Sequence, residues 1–370
     1  MAVRKNIFSL LVATSIFHST QKASQALGAE DKPTKEIVFR LYFNNYNAGI
    51  DWNALSDLKN NPILNACMTE VTAEKLESLQ IPDLKARLQK LQRGKLVRKV
   101  GTNYKLAFPA IWGEKKDKLQ KIVENTASKV LPKAEQIIKK ITPYLKNRKE
   151  MLYHVVWSIV MDGPIAWNTL NVELKKQLKK TDSSITATTW LKYPNHPYRV
   201  GTNTYSDIQN GAVKITWSRT TPTPSIVHQI IKKYESELIQ SVTNSQPLKG
   251  QKARQALAQY GLVDEKGIGR VYIIDPASET AQTFGKVSRK FANEVMTDID
   301  VQEAAKMLGV TPAQALVIVY HELCYELLER LAAKRILEVP KIVLKPAVGT
   351  DQTYRLVSVI NLRKLNLPDQ

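Results

Sequence analysis

The amino-acid sequence predicts an α+β fold in which helices predominate. Three observations point to this fold class. Long segments place apolar residues at helical spacing, and short segments between turn-forming residues alternate apolar and polar side chains. The 370 residues are enough for two or three domains, and a hydrophobic fraction of 43% is ordinary for a soluble globular protein.

The N-terminal half is predicted to begin with a strand at Lys35–Phe43 and to continue with three helices and a hairpin. Pro62 opens the first helix and Thr72 caps the second. The third helix places three leucines on one side and ends at Gly94, as a C-cap would. "KLVRKV" and "NYKLAF" then alternate as two hairpin strands joined by "GTN".

A long amphipathic segment follows from Glu114 to Glu150, with an apolar stripe on one side and lysines on the other. Pro132 is expected to kink or split it. "MLYHVVWSIVMDGPIAW" is apolar enough for a buried helix that ends near Gly163. The turn-rich stretch "TDSSITATTWLKYPNHPYRVGTNTYSD" is the best candidate for a domain boundary.

These features predict an N-terminal half over residues 30–195 and a C-terminal α+β domain of helices and small sheets over residues 196–370. Three times, the chain places a Leu- and Ala-rich helix before an apolar pair and a strand–turn–strand. This pattern indicates either a duplicated unit or a common way to attach a hairpin to a helix.

The first 29 residues predict a signal peptide, and therefore export to the periplasm or the extracellular space. Arg4 and Lys5 precede an apolar run, Ile7–Phe17, that is too short to span a bilayer but suits a signal-peptide core. Cleavage is expected after Ala29 or after Ala26. An amphipathic start and an organellar presequence are the alternatives to a signal peptide, and a cytoplasmic location is the alternative to export.

The balance of charge favours anionic partners. The formal net charge is +20 and the isoelectric point is about 9.7. Cleavage after Ala29 would remove three basic residues and no acidic one, which leaves +17. Nucleic acid, acidic lipid headgroups and anionic wall polymers all fit this charge; a Lys-rich solubilising surface is the alternative.

The stretch from residue 62 to residue 109 resembles the winged helix-turn-helix of bacterial arsenic-repressor-like and multiple-antibiotic-resistance-like regulators. Pro62–Cys67, Thr72–Gln80 and Pro82–Gly94 correspond to the three helices, and Lys95–Phe108 corresponds to the wing. The turn at Gln80–Pro82 and the wing are shorter than is usual in such regulators. The resemblance implies that the third helix and the wing contact DNA or, in other members, protein.

Basic residues are concentrated on the third helix and the wing. Leu84, Leu88 and Leu91 point inward, so the basic side chains between them are expected to point mostly outward. The predicted nucleic-acid or anion-binding residues are Lys85, Arg87, Lys90, Arg93, Arg98, Lys99 and Lys105. A solvated basic surface on a structural module is the alternative.

No catalytic residue, metal site or cofactor is predicted. "YHELCYELLERL" is similar to the start of a zincin motif, but Tyr325 stands where the second histidine is needed. His321 is therefore expected to make polar contacts at the edge of a core helix. Cys67 and Cys324 exclude a disulfide framework, and either two buried thiols or one long-range disulfide remain open.

Three functions follow from these observations. The first is an exported, non-enzymatic binding protein whose basic surface meets an anionic polymer or another protein, with nucleic acid among the candidates. The second is a cytoplasmic winged-helix transcription regulator. The third is a metal-dependent hydrolase built around His321. The sequence predicts no transmembrane segment after the N-terminal run.

Overall fold

The computed structural model describes residues 37–41, 51, 54–55, 57–145, 148–178, 190–194, 200–208, 211–218, 220–344 and 357–361. Helices predominate among them and the sheets are small, so the predicted α+β class is confirmed. The predicted signal peptide lies outside the described residues. We refer to the described residues from 51 to 110 as the N-terminal module.

The N-terminal module contains three short helices and a small sheet. After β1 (Ile37–Leu41) the elements are α1 (Asn61–Ala66), β2 (Val71–Thr72), α2 (Ala73–Glu77), α3 (Leu84–Arg93), β3 (Val97–Val100) and β4 (Asn103–Leu106). Thr72 Oγ1 accepts a hydrogen bond from the Lys75 amide and so caps α2. Gly101 takes a positive φ of 59° in the turn between β3 and β4, where glycine is not strained. Local sequence signals therefore set most boundaries in this module.

A larger helical assembly follows the module. Its elements are β5 (Ala110–Ile111), α4 (Glu114–Ile141), α5 (Leu152–His154), a π-helix (Val155–Met161), α6 (Pro164–Leu178), β6 (Trp190–Pro194), β7 (Val200–Ile208), β8 (Gly211–Ser218), α7 (Pro224–Lys233), α8 (Glu235–Asn244), α9 (Gln251–Ala258), β9 (Tyr272–Ile274), α10 (Glu279–Asp298), α11 (Val301–Leu308), α12 (Pro312–Ala333), α13 (Lys341–Leu344) and β10 (Val357–Asn361). Pro132 lies inside α4 and does not split it. The buried helix predicted to end near Gly163 is present as α5 and the π-helix.

The described strands form three sheets. In the N-terminal module the order is β2-β4-β3, with β4 antiparallel to both neighbours. A second sheet has the order β1-β6-β5, and a third has the order β7-β8-β10-β9. Strand β10, close to the C-terminus, lies antiparallel to β8 and parallel to β9. Long-range pairing therefore completes the third sheet.

Two separate apolar clusters hold the described chain together. The smaller cluster consists of buried side chains between Ala54 and Phe108, all within the N-terminal module. The larger cluster extends from Ile111 to Val359 and includes the inner side of α4. It therefore contains side chains from both sides of the domain boundary that the sequence predicted between residues 195 and 196.

No single helix of the described residues is long and apolar enough to cross a membrane. Helices α11 and α12 reach the required length and composition only as a pair, which is bent by 97°. The side chains of α12 are largely buried in the larger cluster.

Candidate anion-binding face

All seven predicted anion-binding residues lie on one helix and one hairpin of the N-terminal module, and six of them form a group that excludes Arg87. Lys85, Lys90 and Arg93 are exposed on α3, whose Leu88 and Leu91 are buried. Arg98 and Lys99 are exposed on β3, and Lys105 is half-buried on β4. We use the name basic face for the following residues: Lys85, Lys90, Arg93, Arg98, Lys99 and Lys105. Side chains alternate along a strand, so Arg98 and Lys105 share one side of the hairpin and Lys99 lies on the other.

The hairpin places two positive charges side by side. Arg98 lies directly opposite Lys105 in the antiparallel pair of β3 and β4. Like charges at opposed positions destabilise a sheet, so this pair costs stability unless an anion lies between them. The nearby carboxylate of Glu70 accepts a hydrogen bond from Asn103 Nδ2 at 2.9 Å. Neither Arg98 nor Lys105 forms an ion pair with a described acidic residue.

Charge is polarised along the module. Residues 57–83 contain five acidic and two basic residues, whereas residues 84–109 contain eight basic residues and no acidic one. Because α3 and the hairpin come from the second stretch, their outward surface lacks acidic side chains of its own. Such a surface attracts polyanions over a range set by the ionic strength.

Arg87 differs from the other six predicted residues. Its Nη1 donates to Asp57 Oδ2 and to Asn60 Oδ1, each at 2.9 Å, and its Nε donates to Pro82 O at 3.1 Å. Its side chain is only 17% exposed. The guanidinium therefore lies against the segment that precedes α1, and does not take the outward position that helical spacing predicted.

A second group of polar side chains surrounds the π-helix. A π-helix pairs each carbonyl with a more distant amide and often occurs at functional sites. Here three buried side chains donate to its carbonyls: Lys214 Nζ to Ser158 O at 2.6 Å, Ser288 Oγ to Val160 O at 2.8 Å, and Tyr320 Oη to Met161 O at 2.6 Å. Burial lowers the pKa of Lys214 to about 8, although the negative charge of Asp162 acts to raise it.

His154 is the centre of a buried hydroxyl network beside the π-helix. Its Nδ1 lies 2.8 Å from Thr216 Oγ1 and its Nε2 lies 2.9 Å from Ser358 Oγ. Ser158 Oγ also contacts Thr216 Oγ1. Burial, with a smaller contribution from the charge of Lys214, lowers the pKa of His154 to about 3, so the ring is neutral near pH 7. Both nitrogens of the neutral ring are thus used within the core.

His321 is buried in the larger cluster and only 1% exposed. Its Nδ1 lies 2.7 Å from Val317 O, and its Nε2 lies 4.0 Å from Asp162 Oδ1. Among the described residues, no group of three or more His, Cys, Asp or Glu side chains is arranged to hold a metal ion. Cys67 and Cys324 are buried free thiols, one in each apolar cluster. The geometry around His321 is that of a core helix.

The sequence did not indicate a charged cleft at the end of β7. The cleft has a volume of about 480 Å³ and lies between Asp207 and the junction of α7 and α8. Asp207 lies 2.8 Å from His228 Nε2 and 2.7 Å from Lys232 Nζ, and the His228 ring stacks on Tyr205 at 4.1 Å. Only the spacing of His228 and Lys232, one helical turn apart, could have suggested a shared partner.

Comparison of the chain with protein-family models, curated proteins and solved structures gave no match.

Proposed function

We propose that the protein is an exported binding protein whose N-terminal module is of the winged-helix type and binds an anionic polymer through the basic face. The observation that carries this proposal is the position of six basic side chains on α3 and the β3–β4 hairpin, where they meet no acidic partner among the described residues. Lysine and arginine bind a phosphate polymer with release of its condensed counterions, which supplies affinity that does not depend on sequence.

The order of elements supports the comparison with winged helices. Three helices are followed by a hairpin, and β2, between the first and second helices, pairs with β4 to give the sheet order β2-β4-β3. The third helix and the hairpin are the elements that contact the nucleic-acid backbone in that module. The same two elements carry the basic face.

The proposed binding depends mainly on the charge of the protein surface and not on the base sequence of a nucleic acid. The outward surface of α3 and the hairpin offers lysine and arginine, which suit backbone phosphates. We therefore expect little preference among DNA sequences. The export signal that the sequence predicts ahead of the module agrees with this expectation, because a regulator of genes acts inside the cell.

Duplex DNA of random sequence is a suitable probe. A variant with Lys85, Lys90, Arg93 and Lys99 replaced by Gln should bind it more weakly than the wild type. Each phosphate contact contributes about 0.9 to the slope of log K against log salt, so loss of four contacts flattens that slope by about 3.6. The melting temperature should stay nearly unchanged, since each exposed charge contributes less than about 1 kcal/mol to folding.

A matched control is available on α4. Lys121, Lys129, Lys139 and Lys140 are exposed on the outer side of that helix, and their replacement by Gln changes the net charge by the same amount. This control should retain the wild-type slope. Equal effects of the two quadruple variants would show that net charge alone drives binding, and absence of wild-type binding would refute the proposal. Anionic lipid vesicles, tested in parallel, distinguish a lipid surface from a phosphate polymer.

A further inference from the structure

We propose that Arg87 is a positioning residue of the basic face: it fixes α3 against the preceding segment and leaves contact with the polymer to its neighbours. This inference rests on the proposed function, because it concerns how the same face is held in shape. It gives Arg87 a different role from Lys85 and Lys90, although all three lie on one helix.

The N-terminal end of α3 lacks the usual means of fixation. Asp83, at the N-cap position, has a positive φ of 57° and makes no side-chain capping hydrogen bond. Arg87 has only donors and cannot cap the free amides, but its Nε donates to Pro82 O and so ties this end of the helix to the preceding turn. Its Nη1 reaches Asp57 and Asn60 on the segment before α1.

The same preceding segment also holds the other end of α3. The amide of Asp51 donates to Gly94 O at 3.2 Å, just after the last helical residue. A Cβ atom added at Gly94 would lie 2.6 Å from Asp51 Cβ, so the two backbones touch directly. Asn60, which is 1% exposed, anchors the segment through Nδ2 to Ala54 O at 2.7 Å. Helix α3 is therefore held near both ends, by Asp51 at one end and by Asp57 and Asn60 at the other.

The positive charge of Arg87 is paired within the N-terminal module, with the carboxylate of Asp57. Burial would raise the pKa of Asp57, but the hydrogen bond from Arg87, the Lys59 amide and the nearby positive charges together lower it. Asp57 is therefore ionised at neutral pH and neutralises Arg87 locally. Because Asp57 and Asn60 hold Nη1 and Pro82 O holds Nε, the guanidinium is less available than its neighbours to a phosphate of the polymer.

Replacement of Asp57 by Asn gives predictions of opposite sign for the two possible roles of Arg87. If Arg87 contacts the polymer, removal of the acid frees the guanidinium and removes a repulsive charge, so binding tightens and the salt slope steepens. If Arg87 positions α3, the helix loses its fixed orientation and binding weakens. The loss of the Asp57 charge cannot by itself weaken binding, because removal of a negative charge favours a polyanion.

The experiment measures binding of random duplex DNA to the full-length chain across salt concentrations for Asp57→Asn, Arg87→Gln and Arg87→Lys, with Lys90→Gln as the matched control. We expect Asp57→Asn and Arg87→Gln to weaken binding roughly tenfold, which corresponds to about 1.4 kcal/mol, with slopes parallel to wild type. Lys90→Gln should instead flatten the slope by about 0.9. Arg87→Lys keeps the positive charge but loses the planar arrangement of several donors, so its DNA affinity should lie between those of wild type and Arg87→Gln.

Three outcomes would overturn the positioning role: tighter binding by Asp57→Asn, a flattened slope for Arg87→Gln, or wild-type binding by both. If Arg87→Gln does not fold, Asp57→Asn and Arg87→Lys decide the question by the same criteria. Absence of DNA binding by the wild type would refute the proposed function and this inference together. If the wild type binds DNA and Lys90→Gln flattens the salt slope as expected, the proposed function stands, and a contrary result for the Arg87 and Asp57 variants refutes only the positioning role.

Discussion

The buried histidine beside the π-helix makes the larger apolar cluster sensitive to acid. His154 is fully buried, and its pKa of about 3 lies below the value of 6.5 that it takes in an unfolded chain. Because the folded state disfavours the proton, the stability due to neutral His154 is fully present above pH 6.5. It is lost progressively as the pH falls from 6.5 towards 3.

The pH dependence of stability due to His154 follows from the uptake of one proton on unfolding. Between these two pKa values the unfolded chain binds one proton at this position and the folded chain binds almost none. The free energy of unfolding therefore falls by about 1.4 kcal/mol per pH unit on account of His154. At pH 4.5 the loss relative to neutral pH amounts to about 3 kcal/mol, which is a large fraction of the stability of a typical domain.

The assay compares urea unfolding of wild type and His154→Gln at several pH values between 4.5 and 7.5. Tryptophan fluorescence is a suitable signal, because Trp157, Trp167 and Trp217 are buried in the larger cluster. The variant should be less stable at neutral pH, since it disturbs the contacts with Thr216 and Ser358. Its stability should nevertheless fall less steeply with acid, by about 1.4 kcal/mol per pH unit.

Parallel pH curves for the two proteins would refute this reasoning, because they would show that His154 takes up its proton equally well in the folded state. An independent check follows the imidazole of the folded wild type by NMR, where titration near pH 6 would have the same meaning. The other buried histidines and the carboxylates contribute to both curves and cancel in the difference.

Two further predictions concern the core and the N-terminus. Ser288→Ala should destabilise the protein by about 1–3 kcal/mol in urea unfolding, because it removes the buried hydroxyl that donates to Val160 O. As a control, Ser236→Ala should change stability by less than about 0.5 kcal/mol, because Ser236 is exposed. Equal effects of the two substitutions would contradict a stabilising role for the hydrogen bond to the π-helix carbonyl. Native protein should begin at or near Glu30 on N-terminal sequencing, and recovery of the intact chain from the cytosol would refute export.

Local patterns in the sequence were sufficient to predict the three helices and the hairpin of the N-terminal module, but not strand β2. Helical spacing of leucines, the cap at Thr72, the end at Gly94 and the "GTN" turn each depend on residues a few positions apart, and all are present in the structure. The fold class followed from the same local signals. The exposed positions of Lys85, Lys90 and Arg93 were also predictable, because they lie on the side of α3 opposite the buried leucines.

Only the tertiary structure decided which polar side chains are buried and what they contact. Arg87 meets Asp57 thirty residues away, Lys214 meets Ser158 fifty-six residues away, and His154 meets Ser358 across 204 residues. Spacing along a helix or strand states which side chains share a side of that element, but not which other element packs there. Burial and pairing of charge depend on that packing, so the contacts of Arg87 and the polar network of the π-helix exist only once distant segments are brought together.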